Sequence, residues 1–116
     1  MEVGMLVVTR FDVPVEDGDA FLAQAKHALG MLAAQSGYRS GTIGRAADRP
    51  TAWVMATQWD GVGTYRRALS AFDVRTTLMP LTVQAVDEPG AYEVLDVQAA
   101  RPRPVDAGPC GPKLAG

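Results

Sequence analysis

Three features of the sequence predict an α+β domain of the split βαβ, ferredoxin-like type. Segments rich in β-branched and apolar residues alternate with stretches of helical periodicity in the order strand, helix, strand, strand, helix, strand. The 116 residues suffice for one modest core and are too few for two. The first strand and the segment WVMATQW carry apolar groups on both parities, the pattern of strands covered on both faces.

The first strand is Val3 to Phe11, VGMLVVTRF. Beyond DVPVEDGD, the residues Phe21, Leu22, Ala25, Ala28, Leu29 and Leu32 recur at steps of three and four, which places one apolar stripe on a helix. Glu16, Asp17 and Asp19 suit the positive end of that helix, and Gly37 suits a left-handed C-terminal cap. GYRSGTIGRA predicts a second strand in which glycine permits a close approach by backbone or ligand. The turn Ala47 to Pro50 then leads to a third strand, Thr51 to Trp59, and the two form a hairpin. Trp53, Met55, Thr57 and Trp59 share one face of it; Val54, Ala56 and Gln58 share the other.

Asp60 is placed to cap a second helix from about Gly61 to Ala71, with Val62, Tyr65 and Leu69 on one side and Arg66 and Arg67 turned away. Asp73 opens a short helical turn expected to end before Pro80, because the residue preceding a proline is pushed out of helical geometry. Leu81, Val83 and Ala85 alternate with polar residues, DEPG makes a turn, and AYEVLDV predicts the last strand. Residues 1–98 are thus the domain. From Ala99 onward four prolines and three glycines with almost no large apolar residue predict a flexible tail, 99–116.

Two helices cover one face of a four-stranded antiparallel sheet. The apolar groups predicted for the other face need a second cover, and a second copy of the same sheet supplies it, giving a two-fold homodimer.

Bulk properties exclude several functions. A formal charge of -2 gives no long-range attraction for nucleic acid. The one cysteine, Cys110, forms no intramolecular disulfide, and no Cys/His set has zinc-site spacing, so a reducing cytoplasm is expected and no metal site. The apolar run MLVVT meets Arg10 and Asp12 too soon for a membrane span or a signal peptide. GTIG and GVG lack the lysine and spacing of a phosphate loop, and the acidic cluster lacks calcium-loop spacing. Met5, Met31, Met55 and Met79 offer adaptable packing for a core or an apolar ligand.

The stretch from Met5 to Ile43, followed by WVMATQWDGVGTYRRAL, resembles the antibiotic biosynthesis monooxygenase family of dimeric α+β barrels. The likeness runs over residues 3–97. It is carried by the first strand entering DVP, by SGY after the first helix, and by a strand ending in QWD with an aromatic six positions beyond the tryptophan. The resemblance implies small-molecule chemistry between helices and sheet. Members that turn phenolic, polyketide-like compounds into quinones without a cofactor use a strand-end tryptophan and a tyrosine on the next helix, matched here by Trp59 and Tyr65. The resemblance then implies Tyr65 and Trp59 as catalytic residues, with Arg75 as the candidate for the cation that such a site needs, and Trp53, Met55, Thr9 and Leu69 as contacts to an aromatic substrate. Tyr65 would donate a hydrogen bond to the substrate anion and the indoles would supply flat apolar walls.

Two departures stand beside this match. Met55 replaces the strand asparagine of those members, and Arg75 lies nearer the tyrosine in sequence than their arginine does. Large aromatics at a strand end and one turn into the next helix also serve any sheet-helix core. Haem-degrading members carry an asparagine, a tryptophan and an iron-binding histidine where this chain has Thr9, Ala68 and the neighbourhood of Thr76 and Thr77, so haem turnover is excluded. His27, off the apolar stripe of the first helix, is expected to face solvent. The leading reading is a cofactor-independent oxygenase. A non-catalytic dimeric binding or accessory protein is the alternative, and isomerase or cyclase chemistry would have only Tyr65 and His27 as acid or base.

Overall fold

The computed structural model describes residues 4–88 and 90–102. The chain runs through β1 (Met5–Asp12), a 3₁₀ turn (Val15–Asp17), α1 (Gly18–Ala33), β2 (Tyr38–Ala46), β3 (Arg49–Trp59), α2 (Val62–Ser70), α3 (Phe72–Thr82) and β4 (Ala91–Glu93). The four strands form one antiparallel sheet in the order β2-β3-β1-β4. This is the ferredoxin-like α+β arrangement, with the second helical segment divided in two.

Strand alternation decides which side the helices cover. Met5, Val7 and Phe11 of β1 and Trp53, Met55, Thr57 and Trp59 of β3 are buried on one face. They meet Phe21, Ala25, Ala28 and Leu32 of α1, Ala68 of α2, and Val74 and Leu81 of α3 in a single apolar cluster. The helix stripe of α1 is the one its three- and four-residue spacing predicts. On the opposite face Leu6, Val8, Val54 and Ala56 are half-buried while Arg10 and Gln58 are exposed.

Several elements differ from the sequence expectation. Instead of a turn ending before Pro80, α3 is an eleven-residue helix that carries Pro80 inside it. Val74, Leu78 and Leu81, at i, i+4 and i+7, bring one side of α3 against the core, and that burial outweighs the hydrogen bond the proline removes near the helix end. Leu81 is therefore helical, and no strand forms over Leu81 to Ala85. Residues 84–88 and 90–94 instead follow the edge of β1 away from β3, with β4 as their only regular part: Asp12 N donates to Gln84 O at 2.9 Å, Val86 N to Arg10 O at 2.8 Å, Val8 N to Gly90 O at 2.6 Å and Val94 N to Gly4 O at 2.9 Å. Of AYEVLDV, three residues pair as β4.

Gly37 adopts φ 87°, the left-handed conformation expected of it, but four residues beyond the end of α1 rather than as its cap. The turn there is tight: a Cβ at Gly37 would overlap the Thr64 side chain of α2. Gly41 faces the helices, and the close approach it permits is made by the hydroxyl of Tyr38 and by Leu29. Gly61, not Asp60, is the N-cap of α2, and Asp60 lies 3.5 Å from Arg39. Val62 is exposed, so α2 buries Ala68 and partly buries Tyr65 and Leu69. The tail expected over 99–116 lies outside the described residues from 103 onward, as does Cys110.

Candidate active site

β1 and β3 bring Thr9, Val7, Met55 and Thr57 to the helix side of the sheet through their antiparallel register, in which Val7 faces Thr57 and Thr9 faces Met55. α1 adds Leu32, α2 adds Tyr65 and Leu69 four residues apart, and α3 adds Leu78. Together these side chains line a small, partly open cavity of about 60 Å³ between sheet and helices. That is room for a few waters and not for three fused rings. The wall is apolar apart from three hydroxyls, those of Thr9, Thr57 and Tyr65, and no charged residue lines it.

Trp59 stands behind this cavity. Its ring lies 5.7 Å from that of Tyr65 at 54°, and 5.4 Å from that of Tyr38 at 87°. Both are favourable tilted or edge-on geometries. Its indole Nε1 donates to Thr57 Oγ1 at 2.9 Å, a bond buried on all sides, since Trp59 is 1% and Thr57 4% exposed. Burial raises the Tyr65 phenol above its ordinary pKa of 10.0, and Tyr38 is raised in the same way. Tyr65 is thus a hydrogen-bond donor at neutral pH rather than a base.

Of the residues singled out in the sequence, Thr9, Met55, Tyr65 and Leu69 meet at the cavity, with Trp59 in contact with Tyr65. Two others lie elsewhere. Trp53 is six residues from Trp59 along β3, about 20 Å at the strand rise, and packs with Phe21 at 5.2 Å, Phe21 in turn with Phe11 at 5.0 Å. The Arg45 guanidinium sits 5.3 Å from the Trp53 ring centroid. Arg75 is exposed on α3, because the buried side of that helix is taken by Val74, Leu78 and Leu81. His27 is exposed on α1, as its position off the stripe implied. Among the described residues, no group of three or more His, Cys, Asp or Glu side chains is gathered to hold a metal ion, and no helix is long and apolar enough to cross a membrane.

Sequence reasoning passed over Thr57, Val7, Leu32 and Leu78. Thr57 shares its parity with Met55 and Trp59, so its place on the face was legible, but nothing in the pattern marked its bond to Trp59. Leu78 was hidden by the expectation that Pro80 ends the helix.

Comparison with known proteins agrees with this architecture. The family model for the antibiotic biosynthesis monooxygenases matches residues 4–71, from the start of β1 to the end of α2. Among solved structures, the fold is similar to a variant of SnoaB, a cofactor-independent oxygenase from Streptomyces nogalater. The TM-score is 0.73 at 21% identity, covering 81% of this chain and 95% of that one. It is also similar to a putative antibiotic biosynthesis monooxygenase from Nitrosomonas europaea, with TM-score 0.70, 13% identity and coverage of 82% and 93%. A Bacteroides thetaiotaomicron protein described as a possible oxidoreductase has TM-score 0.73, 8% identity and coverage of 81% and 100%. No curated protein matches the sequence. The structural likeness at these identities is one of fold, whereas the family match spans more than half of the sequence: the chain belongs to the antibiotic biosynthesis monooxygenase family.

Proposed function

We propose that this protein is a homodimeric, cofactor-independent oxygenase that oxidises a phenolic or polyketide-type aromatic with O2 in the cavity under Tyr65. The observation that carries the reading is a hydroxyl-bearing apolar cavity backed by Trp59 at the sheet-helix junction of this family's fold. In a reaction without metal or flavin the substrate itself supplies the electrons, so it must be held as an electron-rich anion away from water. Tyr65, kept protonated by burial, donates to the substrate oxygen, and Thr9 and Thr57 offer further hydroxyls. Oxidation of an anthrone-type CH2 to a carbonyl takes one oxygen atom of O2 into the product and releases the other as water, which balances without a further reductant.

An aromatic ring, even a single one, requires the cavity to widen, since a cavity that takes benzene measures about 150 Å³ against about 60 Å³ here. The chain between α2 and α3 leaves helical geometry at Ala71, ψ 133°, which gives a place for α2 to swing outward with Leu69. Arg75 stands outside the cavity wall, so anion stabilisation in this reading falls to hydroxyls alone.

The uncovered face supports the dimer. Leu6, Val8, Val54 and Ala56 lie on the helix-free side, and Leu95 and Val97 just past β4 are 90% and 75% exposed. A second copy packing sheet to sheet would cover the open face, and the exposed segment after β4 offers it further apolar area. The single cysteine is in keeping with a reducing cytoplasm.

The small volume and uncharged wall of the cavity favour a second reading, in which the protein binds an apolar small molecule without turning it over. Oxygen uptake with a panel of anthrones and naphthols separates the two. Turnover lost in Tyr65→Phe and reduced in Trp59→Phe supports the oxygenase; binding of the same compounds without oxygen uptake in the wild type supports the accessory role.

A further inference from the structure

Thr57 is the buried polar residue among the described residues, and its hydroxyl is only partly used. The indole of Trp59 is a donor only, so the 2.9 Å bond occupies an acceptor lone pair of Thr57 Oγ1 and leaves the hydroxyl proton free. The helical threonines spend that proton on the preceding turn, as Thr64 does on Gly61 O and Thr82 on Met79 O. In the extended backbone of β3 no such turn exists, and among the described residues the indole is the hydroxyl's one bonded partner. The side chain also lines the cavity, opposite Val7 in the register and beside Met55 and Tyr65.

We infer that Thr57 is a specificity-determining donor, which gives its hydroxyl proton to an acceptor oxygen on the bound ligand, and that Trp59 is a positioning residue acting through it. The inference rests on the cavity being the ligand site proposed above. With one acceptor position held by the indole, the hydroxyl proton is confined to the two remaining staggered positions, and accepting one bond strengthens the next in the chain. A ligand lacking an oxygen at that point leaves the buried hydroxyl proton without an acceptor and is rejected on that account. The site would thus select planar molecules with a carbonyl, phenol or phenolate oxygen over hydrocarbons of equal size.

The test uses phenol and toluene as probes, with dissociation constants taken from NMR titrations of the full chain. Thr57→Val is expected to weaken phenol binding about tenfold while leaving toluene within about twofold, and Thr57→Ser is expected to restore phenol binding. Trp59→Phe should weaken phenol by a smaller factor. If Thr57→Val does not fold, the double variant Thr57→Val with Trp59→Phe removes both ends of the buried bond and should show the same loss for phenol alone. Equal weakening of both probes would overturn the inference in favour of a purely steric wall, and so would unchanged phenol binding. A wild type that binds neither probe would overturn the cavity as a ligand site and this inference with it.

Discussion

The bond between Trp59 and Thr57 gives a quantitative test that needs no ligand. Thr57→Val keeps the β-branched shape and removes the oxygen, so the indole Nε1 of a 1% exposed tryptophan is left without an acceptor. A buried donor abandoned in this way costs about 1–3 kcal/mol. Trp59→Phe deletes the donor and part of a ring packed against Tyr38 and Tyr65, a loss of about 1–3 kcal/mol of transfer and cavity energy, and leaves the Thr57 hydroxyl unpaired. In the double variant neither group is left stranded, so its cost should fall short of the sum of the two singles by about 1–2 kcal/mol. Urea unfolding followed by far-ultraviolet circular dichroism, at one protein concentration because association adds to stability, reads all four proteins. Additive costs, equal to the sum within about 0.5 kcal/mol, would show that the buried bond is not formed in solution and would refute the reasoning.

Other expectations follow from the same geometry. Val8→Glu places a charge in the middle of the helix-free face and should convert a wild-type dimer to monomer in sedimentation velocity, while a wild type that is monomeric at micromolar concentration removes the dimer. Phe21→Ala takes a ring from the Phe11, Phe21 and Trp53 cluster and should cost about 3–5 kcal/mol in urea unfolding, without altering phenol affinity at the distant cavity. Gly37→Ala forces a Cβ into the Thr64 side chain at a positive φ and should cost at least about 1–2 kcal/mol, read as a lowered melting temperature. Burial holds the proton on Tyr65 more tightly in the folded than in the unfolded chain, so its contribution is full below pH about 10 and is lost as pH rises through the folded value. Stability should therefore be flat through neutral pH on this account and decline in strong alkali, less steeply in Tyr65→Phe.

The order of elements and the covered face were legible because they rest on periodicity, which one sequence displays in full. The alternation at Trp53, Met55, Thr57 and Trp59 and the stripe from Phe21 to Leu32 are examples. What misled was a local rule set against a tertiary gain: Pro80 argues for a helix end, yet Val74, Leu78 and Leu81 bury enough to carry α3 past it. Shared parity likewise placed Trp53 and Trp59 on one face, but their six-residue spacing already sets them about 20 Å apart along a strand, too far to wall one small cavity. Arg75 was chosen for its charge, and charge alone does not fix which side of a helix faces the core. Thr57 shows a different gap, since a hydrogen bond between side chains two apart leaves no mark in residue type.

The two tryptophans offer the most direct test of where a ligand binds. Each gives one indole N–H resonance in a nitrogen-proton correlation spectrum, assigned by Trp53→Phe. One is bonded to Thr57 beside the cavity, and the other lies about 20 Å along β3. Titration with phenol should shift the Trp59 resonance progressively and leave that of Trp53 in place. Movement of Trp53 alone, or of neither, would contradict the assignment of the cavity under Tyr65 as the site of chemistry.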